Sequence, residues 1–598
     1  MAKPTVRVRI AFYDGPYYAN PGWTDVTSYV RSIRTSRGRT DDWQHFSTGT
    51  ASVELDNRDR RYDPTYTAGP YYGYLNPRAQ ILIDATVDGS TYYDVFRGYV
   101  AGWPVRLSAA GYDSTVTLDC FDALGLLSTT ELAPDWADTF IQSLAPKHYW
   151  KCNEATTSTT IYDYGSVGLN IPVFAGRPTL VSNESIAPGV PYNAANMTLT
   201  TYYATQTATS TTGDFTVIFW YRGAIDGVPP ISIAGSGSLL FTIVSTYIQV
   251  DMEDGLGSAG RVTTSRGGFG ATDSHHMAVT YTASTGALRI YVDGVDLTGS
   301  QSNLTNCKLY PVTSITMGRG TLAQVQLYNS VISAANIQNI YRLSATQLIE
   351  TTTARYNRIM AYSSFPASLQ DPTSSPTGTV SDITLGKFAL VSELQLVSDS
   401  EGGDLFVTRG GSLKMTNRTY TTTNTNSATS QGTFGAGGIP IQTEMDYQWS
   451  ADNMRNTINV TWSGGAVVTA TNSSSVSTYG TAAEDYQTQL STNSDALSLA
   501  NYLVAFGYLP RLVMSAVEVG QALTTAQWVT VLGLELLERI TVVVPEQVGS
   551  NLSQTQLVQQ ITHNITPGDW RTTILGSSRW SSVFTIGTSY IGGTDILG

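Results

Sequence analysis

The chain has only three cysteines in 598 residues, Cys120, Cys152 and Cys307, odd in number and far apart. No CxxC pair occurs, so neither a disulfide framework nor a zinc site is encoded. Buried, reduced thiols are expected instead. Charge is also scarce, at 14% of residues, and 34 Lys and Arg face 47 Asp and Glu for a net charge of −13. That disfavours a nucleic-acid grip or a basic membrane-binding face, which need clustered cations. The five histidines (His45, His148, His275, His276 and His563) include no HExxH or other ligand spacing. His275 and His276 fall on opposite faces of a strand and cannot easily share an ion. No run of 18 apolar residues occurs, so no bilayer span is read. The start, MAKPTVRVRI, enters strand-like alternation at once and does not read as a signal peptide, so synthesis in a cytoplasm is expected. GxSxG and GxxxxGK[ST] are absent too.

What is present points to strands and turns. Tyr numbers 35 and Gly 54, and Thr, Tyr and Val favour strands while Gly supplies turns. Roughly four domains are expected at about 150 residues each. Val6, Val8 and Ile10 alternate with arginines; Ala51, Val53 and Leu55 do so in "TASVELDN". Ile81, Ile83, Ala85 and Val87 alternate before a hairpin turn at Asp88-Gly89, and Val116, Leu118 and Cys120 share a strand face. A short helix is predicted in "APDWADTFIQSLAP", with Asp135 as N-cap and Phe140, Ile141 and Leu144 on one side. Residues 148–345 then carry short strands in Gly-, Ser- and Thr-rich sequence. In "HHMAVTYTASTGALRIYVDG", Met277, Val279 and Tyr281 form one face, and Leu288, Ile290 and Val292 continue it after the turn. That predicts a hairpin with one buried face. Further helices are predicted at "SAANIQNIYRLS" (capped by Ser333), "TTTARYNRIMAY", "LGKFALVSELQLVSDSEGG" and "SDALSLANYLVAFGYLP" (capped by Ser494). A hairpin turns at Gly410-Gly411, strands close the chain, and the last twenty residues read as loosely ordered or partner-bound.

The sharpest carboxylate group is Glu54, Asp56 and Asp59 in "ELDNRDRRYDP". It approaches the ExDxxE spacing of some β-sandwich glucanases, in which paired carboxylates act as nucleophile and acid. The third position is Asp, Asn57-Arg58 reads as a turn, and Arg58, Arg60 and Arg61 can pair the acids, so a charged loop is expected. "DMEDG", Asp251–Gly255, offers two or three oxygens to a calcium ion but also reads as a hairpin turn, and it lacks EF-hand spacing. No residue is assigned a catalytic or cofactor-binding role.

Two resemblances follow from longer motifs. "HYWKCNEATTSTTIYDYGSVG", "DFTVIFWYRG", "HHMAVTYTASTGALRIYVDG" and "AQVQLYNSVISAANIQNIY" resemble the strands and closing helix of laminin-G-like (concanavalin A-like) jelly rolls. Ser274 stands where that family usually has Trp. Such modules commonly bind glycans or proteins and often calcium. The flanks, "WTDVTSYVRSIRTSRGR", "FSTGTASVELDNRDRRYDP", "YYGYLNPRAQILI", "VFRGYVAGWPV", "LQLVSDSEGGDLFVTRGGSLKMTNR" and "ITHNITPGDWRTTILG", are similar to tail-hub minor tail proteins of long-tailed actinobacteriophages.

Together the resemblances imply a mainly β chain with a few helices, built of β-barrel-like hub domains and an inserted β-sandwich jelly roll. The segments are 1–135 (N-terminal hub β-domain), 148–345 (inserted jelly roll), 349–525 (central hub α+β domain) and 526–598 (C-terminal hub β-domain and tail). The implied role is a virion tail-tip subunit, not an enzyme. It would join the tail tube and distal ring to the tip fibre as a homotrimeric ring, contact the tape measure, and meet DNA only as passing cargo. The insert would contact host envelope glycan, with Tyr202 and Tyr203 as aromatic candidates. A distal-tail ring subunit, a receptor-binding adhesin and a wall-degrading glycoside hydrolase are the alternatives.

Overall fold

The computed structural model describes residues 3–578 except 110, 133–135, 156–157, 173–179, 185, 188–193, 198–204, 207–212, 224–228, 236–237, 245–246, 254–258, 266–271, 303–311, 318–319, 345–348, 382–388, 464 and 521. Cys307, Asp135, Tyr202, Tyr203 and the last twenty residues lie outside the described residues. The fold is mainly β with a few helices, as expected. The chain divides into two compact units. One comprises Met1–Leu132, Ile349–Ser381 and Phe388–Gly598; the other comprises Ala133–Leu348 and Asp382–Lys387.

The first unit is built on a 13-stranded sheet. Its order is Thr24–Asp25, Thr5–Ala11, Gln80–Thr86, Tyr92–Val100, Ser114–Phe121, Ser47–Asp56, Val30–Gly38, Leu552–Thr566, Arg539–Val544, Ser430–Gly435. Val105–Leu107 pairs with Ser114–Phe121, and Asp569–Ser577 pairs with both Leu552–Thr566 and Val517–Val519. The path is open and no barrel closes among the described strands, which corrects the barrel-like expectation. The junction of the two chain ends is the strand Val30–Gly38, which sets Ile33 opposite Ile565 and Thr35 opposite His563. Gly38 ends that strand at φ 125°, where a Cβ would lie 2.1 Å from the Gln559 carbonyl oxygen, so only glycine allows the approach. One apolar core runs from Val8, Val53 and Leu118 through Trp528, Ile540 and Ile574. Strand Gln80–Thr86 is buried on both faces, so the alternation read there does not separate core from solvent.

The predicted segments 349–525 and 526–598 share this sheet: Val517–Val519 pairs with Asp569–Ser577, and the helix Thr525–Gly533 spans the expected boundary. Helix Asn493–Gly507 lies on the sheet Thr457–Thr461, Val467–Thr471 and Ala483–Gln487, burying Leu499 and Leu503 against Ile458 and Val460. Its N-cap is Thr492 rather than Ser494. Thr492 is extended (φ −131°) and its side chain accepts the Asp495 amide, whereas Ser494 already lies in the first turn.

The second unit is built on two stacked sheets, with a small two-stranded sheet of Thr160–Ile161 and Ile171–Pro172 beside them. The first has the order Leu180–Glu184, Ala194–Met197, Gly320–Tyr328, Phe215–Arg222, His275–Thr282, Ala287–Val292, Val295–Asp296, with His148–Trp150 on Gly320–Tyr328. The second has the order Thr205–Gln206, Val312–Met317, Ile231–Gly235, Ser238–Val244, Tyr247–Glu253, Ala259–Thr264, Thr298–Ser302. The core between them includes Phe219, Phe241, Val250, Val279 and Ile290. The hairpin His275–Thr282/Ala287–Val292 pairs Met277 with Val292, Val279 with Ile290 and Tyr281 with Leu288. Its other face is buried too, contrary to the one-face expectation. Helices Trp136–Ser143 and Ala334–Ser344 cover it, so Ala278 and Tyr291 meet Ile141, Ile337 and Ile340.

His276 sits on that covered face, fully buried, 5.5 Å from the Trp220 ring and 5.8 Å from Tyr341. Burial pushes its imidazole down from 6.5 to about 4, against the opposing pull of Asp293. An unfolded chain takes up this proton near 6.5 and the folded one only near 4. The unfolded state therefore binds more protons between those values, and stability falls as pH drops from about 6.5 to about 4. The difference amounts to ~3 kcal/mol at the acid end. His276→Phe is expected to flatten that part of the profile, measured as the difference between wild-type and variant melting at pH 7 and pH 4. An equal acid loss in both proteins would refute the assignment.

Candidate functional site

In the second unit, strands of the seven-stranded sheet alternate core and outward residues. Ile248, Val250 and Met252 point into the core while Tyr247, Gln249, Asp251 and Glu253 point out. Register lines the outward residues up across four strands: Ser232 faces Leu240, Leu240 faces Asp251, and Asp251 faces Arg261. A second row sets Thr242 beside Gln249 and Gln249 beside Thr263. Asp251 is the hub of this face. It accepts a 2.6 Å hydrogen bond from Gln249 Nε2 and another of 2.6 Å from Arg261 Nε. That bond raises the Arg261 pKa, and the guanidinium stays mostly exposed. Tyr247, the first residue of the strand, is 37% exposed. A mixed set of donors and acceptors beside an aromatic ring is the chemistry that holds sugar hydroxyls and ring faces.

In the DMEDG stretch the Asp251 carboxylate is paired with Arg261. Asp254 and Gly255 lie outside the described residues. Among the described residues, no group of three or more His, Cys, Asp or Glu is placed to hold an ion. Cys120 and Cys152 are buried and free, and burial pushes both thiols well above their ordinary value.

Of the three carboxylates, Glu54 and Asp56 lie on the strand Ser47–Asp56 and only Asp59 in the turn after it, which corrects the expected loop, while the expected pairing with arginines is present for both aspartates. Ser32 Oγ donates to Glu54, Asp56 is bridged by Arg58 and Arg31, Asp59 by Arg61, and Arg60 turns to Asp63. The Arg58 hydrogen bond holds Asp56 down at about 2. Partial burial works to raise Asp59, yet Arg61 holds it below its ordinary value. A glycosidase acid needs a raised pKa, and neither aspartate has one. Four histidines are bound to neighbours: His45 to Asp399, His148 to Asp163, His275 to Asp293 and His563 to Thr572. Sequence reading missed Tyr247, Gln249 and Arg261. Their only signal is the outward half of a period-two pattern, which any solvated strand also shows.

Residues 196–338 match the family model of the concanavalin A-like lectin/glucanases superfamily. The second unit thus carries a concanavalin A-like domain. Across the whole chain, the fold is similar to the tail protein from Neisseria meningitidis MC58 (TM-score 0.40, 7% identity, 96% of each chain covered). It is also similar to the 43 kDa tail protein of prophage MuSo2 from Shewanella oneidensis (TM-score 0.38, 8% identity, 96% of this chain and 99% of that one). Part of the chain is similar to the Ruminococcus gnavus IT-sialidase CBM40 bound to α2,3-sialyllactose (TM-score 0.19, 11% identity, 22% of this chain and 83% of that one). No curated protein sequence matches the chain. Among the described residues, no helix is long and apolar enough to cross a membrane.

Proposed function

We propose that this chain is a structural subunit of a phage tail tip, a hub-type ring protein that joins tail tube and distal ring to tip fibre. Its concanavalin A-like domain offers the Tyr247–Gln249–Asp251–Arg261 face to host-surface carbohydrate. One observation carries the structural half of this reading. The sequence motifs that resemble tail-hub proteins lie at opposite ends of the chain, yet strand Val30–Gly38 pairs with Leu552–Thr566 in one sheet over one core. A scaffold split by 216 residues of chain, Ala133–Leu348, is how a host subunit carries an inserted binding domain. The net charge of −13 suits a protein that lets DNA pass without holding it. The homotrimeric ring and the contacts with tape measure and fibre belong to the same proposal.

The test uses virions with 133–348 replaced by a short Gly/Ser linker. Particle images are expected to keep the subunit at the tail end in ring copy number, while adsorption to host cells falls at least tenfold. Unchanged adsorption would leave the domain a spacer. A subunit found along the tail shaft or on fibres would overturn the hub reading in favour of the distal-ring or adhesin alternatives.

A further inference from the structure

Strand Tyr447–Ser450 of the first unit pairs with Arg511–Met514 in a two-stranded sheet and, among the described residues, with no other strand. The inner strand is anchored: Met514 is buried in the core of the first unit and Leu512 packs against that core. The outer strand is covered on neither face. Tyr447, Gln448 and Trp449 are exposed in succession, Tyr447 at 45% and Trp449 at 68%. An open strand edge flanked by two aromatic side chains is a template for a further strand.

The backbone points to the same edge. The Ser515 amide donates to the Asp446 carbonyl at 2.8 Å, so those two residues form a hydrogen-bonded pair. Antiparallel pairs alternate along a ladder. Gln448 and Val513 are therefore hydrogen-bonded to each other, whereas Tyr447 opposite Met514 and Trp449 opposite Leu512 are not. The Leu512 carbonyl agrees, because it turns away from Trp449 and accepts Gln554 Nε2 at 3.3 Å and Ser578 Oγ at 3.1 Å. The amides and carbonyls of Tyr447 and Trp449 thus face the open edge, where a strand lying alongside would bond them.

Ser578 also marks where the chain goes next. It is the last described residue, and its contact with Leu512 starts residues 579–598 beside the inner strand. The open edge lies three strand spacings away, ~14 Å. Extended chain covers that distance in about five residues, with the rest left to pair. The sequence that follows, "VFTIGTSYI" from Val583 to Ile591, suits a strand. Val, Phe, Thr, Ile and Tyr favour one, and Phe584, Ile586 and Tyr590 fall on one side of a period-two pattern. It holds no charged residue and no proline to oppose pairing. A segment tethered beside its site is present there at an effective concentration of ~mM, which a free partner or a second copy would have to match.

We propose that residues 579–598 add to the open edge of Tyr447–Ser450 of their own chain as a third strand, with the Phe584 and Ile586 side against Trp449. This needs only the first unit and does not depend on the tail reading. The test is hydrogen exchange on the full chain, wild type against Phe584→Asp/Ile586→Asp. The Tyr447 and Trp449 amides are expected to exchange at least tenfold faster in the variant, while those of the core strand Gln80–Thr86 exchange alike in both. Equal exchange at Tyr447 and Trp449 overturns the proposal. Should the double variant misfold, an aromatic photo-crosslinker in place of Trp449, in the otherwise unchanged full chain at nanomolar concentration, decides the matter. A cross-link within one chain to residues 583–591 supports the proposal. A cross-link between two chains, one to any other segment, or none at all overturns it.

Discussion

Replacing Glu535 with alanine is expected to destabilise the first unit by about 3–5 kcal/mol, the range for breaking a buried ion pair from one side. Glu535 Oε1 accepts Arg37 Nη1 at 2.7 Å, and the Arg37 side chain is only 5% exposed. Its carboxylate also accepts the Arg409 amide at 2.7 Å and the Leu536 amide at 2.9 Å. Burial works to raise the Glu535 pKa, but the charge of Arg37 and these donors hold it below its ordinary value. The stabilisation is therefore present above the ordinary carboxylate pKa and is lost as pH falls through the depressed one. Removing the carboxylate strands the guanidinium of Arg37 and two amides together. The double variant Arg37→Met/Glu535→Leu is expected to recover most of the loss, because apolar groups of similar size need no partner. Calorimetry of the full chain, following the first unit's transition, checks both. A single-variant cost below about 1 kcal/mol would show that the pair contributes no more than an exposed surface bridge.

Phe241→Ala is expected to cost about 3–5 kcal/mol in the concanavalin A-like domain, the range for emptying a buried phenylalanine site. Phe241 is fully buried in the seven-stranded sheet, and its ring meets Phe219 of the facing sheet edge to face at 5.0 Å. The contact holds the two layers together across their core, so the cavity opens between sheets that cannot both relax into it. Limited proteolysis is expected to begin within 133–348 in the variant while fragments of the first unit survive. Protease resistance equal to the wild type would mean that the core collapses around the gap.

Local rules were enough to read many elements from the residues alone. The turn at Gly286 has φ 69° and Gly402 ends its helix at φ 69°, as their neighbours implied. Ser333 Oγ accepts the Asn336 amide where a cap was expected. The mainly β class and the concanavalin A-like domain were equally legible, because period-two patterns and short motifs act over a few residues. The open sheet path was not, since closure of a barrel depends on which edges find partners, and strand patterns are the same in both cases.

What the sequence determined by itself was a set of strands, turns and caps, plus the absence of metal, nucleotide and nucleophile motifs. Only the tertiary structure decided that Val30–Gly38 pairs with Leu552–Thr566, that helices bury the second face of the 275–292 hairpin, and that Arg37 meets Glu535. It alone aligned Ser232, Leu240, Asp251 and Arg261 into one ladder. The reason is physical. Backbone preference and side-chain alternation are set by near neighbours in the chain, whereas register, burial of a second face and ion pairing are set by whichever distant surface arrives to cover them.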